Sequence, residues 1–275
     1  MENFNELHSQ IQKALTVKFI MTPYGRLIFG KLSEKVGRYK DTIRKMDFDF
    51  LPLSDEDGNI VAFTTKDEVE NADPAAVLKT IAKGIPEENK VPDDLPVIEL
   101  LKNDELLDKL RSSLLFVTSG DRVVGIITYA DLNKKEIRIL FYHLIVELES
   151  TLAHIIQSKY PDPEEFIKTF SESFPTEPLG EWYKAKLNNL NLHPVEYLSF
   201  SQIINLIRKD KELLKEVGLT KKTIKDKVSK IIELRNKVMH SNRSLIVEGG
   251  DLREILEGYD FIMLLLEKLS KYTAG

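Results

Sequence analysis

One local pattern occurs twice in the chain, about 64 residues apart. Asp47-Phe48-Asp49-Phe50-Leu51-Pro52-Leu53 and Ile60-Val61-Ala62-Phe63-Thr64 flank the turn Asp55-Glu56-Asp57-Gly58-Asn59. Later, Leu114-Leu115-Phe116-Val117-Thr118 and Val123-Val124-Gly125-Ile126-Ile127-Thr128 flank Ser119-Gly120-Asp121. Short runs of β-branched and aromatic residues around an Asp/Gly turn read as hairpins. A helical pattern precedes each copy, Leu32 to Met46 and then Leu101 to Ser112, and a polar, helix-starting segment follows each. The recurrence implies duplicated α-β-β-α units. Between the copies, Ala82 to Pro96 holds Pro86, Pro92, Pro96 and several acids, as suits a linker.

From Asp131 onward the period becomes that of a helix. Ile137, Leu140, Phe141, Leu144, Ile145, Leu148, Leu152, Ile155 and Ile156 follow the i, i+3, i+4, i+7 rule until Pro161 and Pro163 end the run. The spacing predicts one helix from Leu132 to Lys159, about 40 Å long at 1.5 Å per residue, continuous with Thr128-Tyr129-Ala130-Asp131. Further helices are expected at Leu198 to Leu214, Lys221 to Met239 and Leu252 to Tyr272, which makes a bundle. Ser171 to Pro194, with three prolines and the single Trp182, reads as irregular, with Trp182 a packing anchor. At 275 residues, two domains are expected. The fold class is therefore α+β: an N-terminal helix (1–15), a first α-β-β-α motif (16–72), a linker (73–96), a second motif (97–133) and an all-α bundle (134–275).

No cysteine is present, which excludes disulfides and thiolate metal sites. The aliphatic run Ile262 to Leu266 is far shorter than the ~20 residues a membrane-spanning helix needs, so a soluble, cytoplasmic protein that does not contact membranes is expected. His8, His143, His154 and His193 show no ligand spacing with one another or with acids, so no metal is expected, and the 13 dispersed glycines form no phosphate-cradling loop. Charge is uneven. Up to Ile137 there are 19 basic against 24 acidic residues, and beyond it 20 of each, yet Arg208 to Arg243 holds 12 basic and 5 acidic. Such a stretch suits a polyanion or a solvated lysine-rich helix.

The repeated unit resembles the CBS domain, a small module that occurs in tandem and packs as a pseudo-symmetric pair. Val123-Val124-Gly125-Ile126-Ile127-Thr128-Tyr129-Ala130-Asp131 carries the likeness in the second copy. Val17-Lys18-Phe19-Ile20-Met21-Thr22-Pro23 and Phe50-Leu51-Pro52-Leu53 carry it in the first, over about residues 16–133. In that family a Thr/Ser-x-x-Asp element binds adenine nucleotides, hydroxyl to phosphate and carboxylate to ribose. The resemblance implies Thr128 and Asp131 as that pair, with AMP, ADP, ATP or S-adenosylmethionine as regulatory ligand. A hydroxyl and a carboxylate three residues later lie on the same side of a turn, which also describes ordinary helix capping. In the first copy the motif is altered. Ala62 replaces the Gly, and the pair is either Thr65 and Glu68 or, shifted by one, Thr64 and Asp67.

Arg235-Asn236-Lys237-Val238-Met239-His240 places a permanent cation and an imidazole, reference pKa about 6.5, in one helical stretch. Metal-free RNA cleavage needs such groups: a guanidinium to hold the charge on a pentacoordinate phosphate, and an imidazole to take the 2′-hydroxyl proton. This half resembles the HEPN superfamily of helical bundles through Ile145 to Leu152, Phe200 to Ile207 and the R-N-x-x-x-H form of Arg235, Asn236 and His240. The likeness covers about residues 133–272 and implies a metal-independent endoribonuclease completed in a homodimer, or an RNA-binding or non-catalytic partner. Some toxins carry a Tyr two positions beyond the His; Asn242 stands there. Arg235 and His240 lie five residues apart, roughly 140° around a helix, so they converge only through distortion near Ser241-Asn242 or across a dimer axis. Structural roles would be an Arg235 salt bridge to Glu149 or Glu147 and a His240 cap.

Together these readings predict an adenine-nucleotide-responsive endoribonuclease or RNA-binding effector, with RNA, nucleotide and a second copy as partners and a 2′,3′-cyclic phosphate as product. The alternative is a non-enzymatic nucleotide-sensing dimerisation protein, or a non-catalytic partner in a toxin-antitoxin or defence complex.

Overall fold

Both hairpins are present in the computed structural model, which describes residues 2–240, 244–246 and 252–272, with 2–5, 7 and 271 in backbone only. Ser241, Asn242 and Gly249-Gly250 lie outside the described residues. The chain divides into two units, Gln10–Ile137 and Met1–Ser9 with Arg138–Gly275.

The first unit holds β1 (Thr22–Pro23), β2 (Gly30–Lys31), β3 (Phe50–Ser54), β4 (Ile60–Thr65), β5 (Lys83–Gly84), β6 (Lys90–Pro92), β7 (Leu115–Ser119) and β8 (Arg122–Ile127). They form two four-stranded sheets of matching design, β2-β3-β4-β5 and β6-β7-β8-β1. Each runs from a parallel edge strand through the hairpin to an antiparallel edge strand. Even the irregularity repeats: register shifts between Leu53 and Ser54 in one sheet and between Val117 and Thr118 in the other. The chain exchanges edges, because β1, from the start of the first motif, closes the second sheet. The segment 73–96 is correspondingly not a bare linker. It supplies β5 to one sheet and β6 to the other, because both hairpins need partners for their outer strands.

The division between the units falls inside α1 (Glu2–Ala14), and the helices wholly within the first unit are α2 (Val17–Ile20), α3 (Gly37–Met46), α4 (Lys66–Asn71), α5 (Val97–Lys102) and α6 (Asp104–Ser112). The helix expected from Leu32 begins only at Gly37 and ends where Asp47 turns left-handed at φ 54°. The one expected from Leu101 is two helices, parted at Asn103, whose side chain accepts from Leu106 N at 3.1 Å. Ile43, Leu51, Leu53 and Val69 bury one face, while Ile60, Phe63, Leu114 and Phe116 form a second cluster, with the Phe63 and Phe116 rings 5.7 Å apart. Each fully buried aliphatic or aromatic side chain stabilises by about 1.5–3 kcal/mol.

The second unit is helical: α7 (Lys135–Lys159), α8 (Pro163–Thr169), α9 (Thr176–Leu187), α10 (Phe200–Lys209), α11 (Lys211–Glu216), α12 (Lys221–Thr223), α13 (Ser229–Met239) and α14 (Leu252–Leu269). Leu140, Leu144, Leu148, Leu152 and Ile155 of α7 are buried, as the 3.6-residue period requires. By length and composition α7, with the turn before it, is apolar enough to cross a membrane, but half of that window is buried inside the protein.

Three further expectations are corrected. First, α7 starts at Lys135 rather than Leu132, since Tyr129–Asn133 is a 3₁₀ turn and Lys134 is extended. Second, the expected Leu198–Leu214 helix is split by Asp210, whose carboxylate accepts from Glu212 N at 2.7 Å and Leu213 N at 3.1 Å. Third, residues 171–194 contain the 12-residue α9. Its Pro175 and Pro178 sit at the N-cap and in the first turn, where a missing N–H costs no helical bond. Trp182 on α9 is buried and donates Nε1–H to Leu192 O at 2.9 Å. The path from Lys221 to Met239 stays helical but widens to a π-helix over Ile224–Val228.

Candidate functional site

Each hairpin ends in a threonine that caps a short turn. After β8, Thr128 is extended, at φ −116° and ψ 167°, so its N–H and hydroxyl both reach the carboxylate three residues on. Asp131 Oδ2 accepts from Thr128 N at 2.7 Å and from its Oγ1 at 3.0 Å. The other oxygen pairs with Lys134 Nζ at 2.7 Å, and Asp131 is 6% exposed. Lys134 also donates to the carbonyls of Ile20 at 2.6 Å and Met21 at 3.2 Å, just before β1. It thus ties the turn to the edge strand that completes the sheet.

In the first copy the strand registers align Thr65 with Thr128 and Glu68 with Asp131. Thr65 and Glu68 form a reciprocal capping box: Glu68 Oε2 accepts from Thr65 N at 2.9 Å, and Glu68 N donates to Thr65 Oγ1 at 3.3 Å. Lys83 on β5 closes the other carboxylate oxygen at 2.7 Å. Burial pushes the Glu68 carboxyl up, but Lys83, the Thr65 N–H and the Thr65 and Thr64 hydroxyls outweigh it and hold it down at about 2. The shifted pairing does not form. Thr64 is fully buried with its hydroxyl on Glu68 at 3.1 Å, and Asp67 is exposed.

All four carboxylate oxygens are therefore already engaged, two by threonines and two by lysines. A carboxylate has about four lone-pair sites, so a ligand hydroxyl would reach Asp131 or Glu68 either beside the ammonium group or in its place. Neither Lys83 nor Lys134 stood out in the sequence, because each is an ordinary lysine in a polar segment.

In the helical unit, Arg235 and Asn236 are partly buried on α13, and exposed His240 caps its C-terminus with extended backbone. His240 N donates to Asn236 O at 3.3 Å. Among the described residues no hydrogen bond links the side chains of Arg235, Asn236 and His240. Arg235 Nε is buried without a hydrogen-bond partner. The Arg235 guanidinium acts on Glu149 of α7, where burial pushes the carboxyl up and the Arg235 charge and the Phe200 N–H oppose it. The expected Arg235 ion pair with Glu149 or Glu147 is not made at contact distance among the described residues; the coupling to Glu149 is longer-ranged.

What holds the end of α13 is Arg138, which the sequence reading passed over. Its guanidinium donates to Lys237 O, and to Val238 O at 3.4 Å, satisfying carbonyls that a helix C-terminus leaves open. Among the described residues no group of three or more His, Asp or Glu side chains is placed to hold a metal ion.

No protein-family model matches the chain, and no curated protein sequence matches it. Solved structures of CBS domains are similar to under half of it. One, from a transcriptional regulator of Streptococcus pneumoniae, is 17% identical, with 43% of this chain and 96% of that one covered and a TM-score of 0.37. Another, from a bacterial CNNM/CorC-family Mg2+ transporter in complex with ATP, is 17% identical, covering 48% and 92%, TM-score 0.37. A third, CBSX2 in complex with AMP, is 19% identical, covering 46% and 98%, TM-score 0.38.

Proposed function

We propose that the chain is an adenine-nucleotide-responsive effector whose regulatory ligand binds at the turn after β8. The reading rests on one observation: among the described residues the buried Asp131 carboxylate has a single cationic partner, Lys134, which is also the residue preceding α7. On binding, the ribose hydroxyls replace the ammonium on Asp131 and Lys134 turns to the phosphate. Its bonds to Ile20 O and Met21 O are given up at the same time. The signal enters the helical unit through the residue joined to the head of α7, and no continuous rod from the turn is needed. A released ammonium favours AMP, ADP or ATP over S-adenosylmethionine, which carries no phosphate. Calorimetric titration of all four tests this. Wild type is expected to bind the phosphate-bearing ligands, and Asp131→Ala and Lys134→Met to weaken them tenfold or more; absence of binding by any of the four rejects the site.

A second reading, metal-independent RNA cleavage, is favoured by the exposure of His240 at an α13 terminus held by Arg138. In a homodimer, His240 takes the 2′-hydroxyl proton as the 2′-oxygen attacks phosphorus, Arg235 holds the phosphorane charge and Asn236 orients the phosphate or the imidazole; the P–O5′ bond then breaks, the 5′-oxygen leaves as a hydroxyl with a proton from water, and a 2′,3′-cyclic phosphate remains. Incubation with RNA in EDTA should give cleavage that His240→Ala abolishes. Equal activity in the variant, or none in wild type, leaves the non-enzymatic sensor as the function.

A further inference from the structure

At the opposite end of the strands from the threonine caps lies a cleft of about 330 Å³. Its walls come from both hairpin turns and from the 3₁₀ turn after β1, all within the first unit. Arg122 is six residues before Thr128, about 20 Å along an extended strand, so this cleft is separate from the Asp131 site.

The cleft is built rather than incidental. Tyr24 forms one side and is fixed at two points: its hydroxyl donates to Gly58 O at 2.8 Å, and its ring lies 5.2 Å from that of Phe29. Gly58 has φ +86°, which favours glycine, and a Cβ there would sit 3.4 Å from the Tyr24 hydroxyl. Val123 and Val124 add apolar surface to the lining. Arg122 and Ser119 face each other across the hairpin and both line the cleft. Among the described residues neither side chain has a hydrogen-bond or ion-pair partner, and Arg122 is the one charged side chain lining the cleft. Asp55 of the first turn is committed to its own loop, accepting from Asn59 N at 2.8 Å and Nδ2 at 3.2 Å.

We propose that this cleft is a second small-molecule site, taking a planar ring that bears one oxyanion, with the ring against Tyr24 and the valines and the oxyanion on Arg122 and Ser119. A guanidinium fork and a hydroxyl match carboxylate and phosphate alike. A fixed aromatic wall with few polar groups selects flat apolar bodies, and the volume lies at the small end of ligand pockets.

Saturation-transfer NMR on the full chain tests this with 4-hydroxybenzoate, phenyl phosphate and benzylamine, which share a ring and differ in charge. Ring-proton saturation is expected from one or both anions and not from benzylamine; the stronger anion identifies the group preferred. Arg122→Ala, at an exposed position, should weaken the anion at least tenfold, and Val124→Trp should abolish its signal by filling the cleft. Asp131→Ala should leave it unchanged. The proposal is overturned if neither anion binds, if benzylamine binds as well as they do, if Arg122→Ala matches wild type, or if Asp131→Ala removes the signal.

Discussion

At the end of β4 the Glu68 carboxylate takes its cation from the adjoining edge strand, Lys83 on β5. At the end of β8 Asp131 takes its cation from three residues downstream, and the same lysine reaches across to the carbonyls before β1. The registers make the exchange explicit: Phe63 faces Lys83 in one sheet, and the corresponding Ile126 faces Thr22 in the other. Where the edge strand lacks the lysine, the turn supplies it. Lys134, with three partners and a side chain 34% exposed, is held more firmly than Lys83, with one and 52% exposed. Duplicated units thus keep a carboxylate-lysine closure while changing which segment provides it, and only the second version also bears on the start of α7.

The sharpest way to break the correspondence is at the edge-strand contact. Gly125 faces Pro23, and a Cβ added there would lie 2.7 Å from both Met21 Sδ and Thr22 O. In the first copy the glycine has moved to the partner, as Ala62 faces Gly84, where a Cβ meets nothing within 4 Å. Gly125→Ala should therefore destabilise by about 3 kcal/mol, since main chain must shift. Gly84→Ala should be neutral or stabilise by about 0.5 kcal/mol. Urea midpoints of the two variants decide it; equal midpoints would mean that β1 does not constrain the second sheet.

That contrast marks the limit of what the sequence reveals. The hairpins, the turn chemistry of Asp57-Gly58 and the long apolar period of α7 are local signals, and they were legible. The edge strands were not. Lys83-Gly84 and Thr22-Pro23 are two residues each, too short for any alternation, and they become strands only because a hairpin edge needs pairing. The choice between Thr65 with Glu68 and Thr64 with Asp67 was likewise open until strand register decided which threonine faces outward. At the Arg235 helix the motif was visible, but the support was not, because Arg138 lies almost a hundred residues away in sequence and acts on main-chain carbonyls.

Removing each lysine compares the two closures directly. Lys134→Met leaves the Asp131 carboxylate, 9% exposed in its side chain, without a cation, and two carbonyls without their donor. A loss of about 2 kcal/mol is expected. Lys83→Met removes one half-exposed ion pair and should cost about 0.5 kcal/mol. If thermal or urea denaturation gives the same loss for both, the extra bonds of Lys134 contribute nothing.

The smallest effect isolates the ionic part of the first closure. Glu68 is held at about 2 against an ordinary 4.5, so the unfolded chain binds a proton at this carboxyl that the folded chain refuses. Its contribution is complete above pH 4.5 and fades as pH falls from there through about 2. Because the side chain is 30% exposed, solvent screening reduces the full linkage value to about 1 kcal/mol. Glu68→Gln keeps the shape but cannot titrate, so its stability should fall less steeply than that of wild type between pH 4.5 and 2.5. Parallel acid slopes for the two proteins in urea titrations would show that Lys83 and the two threonines leave Glu68 no more acidic folded than unfolded. The lysine on β5 would then be an ornament of the first sheet, and the likeness between the two closures would end at their geometry.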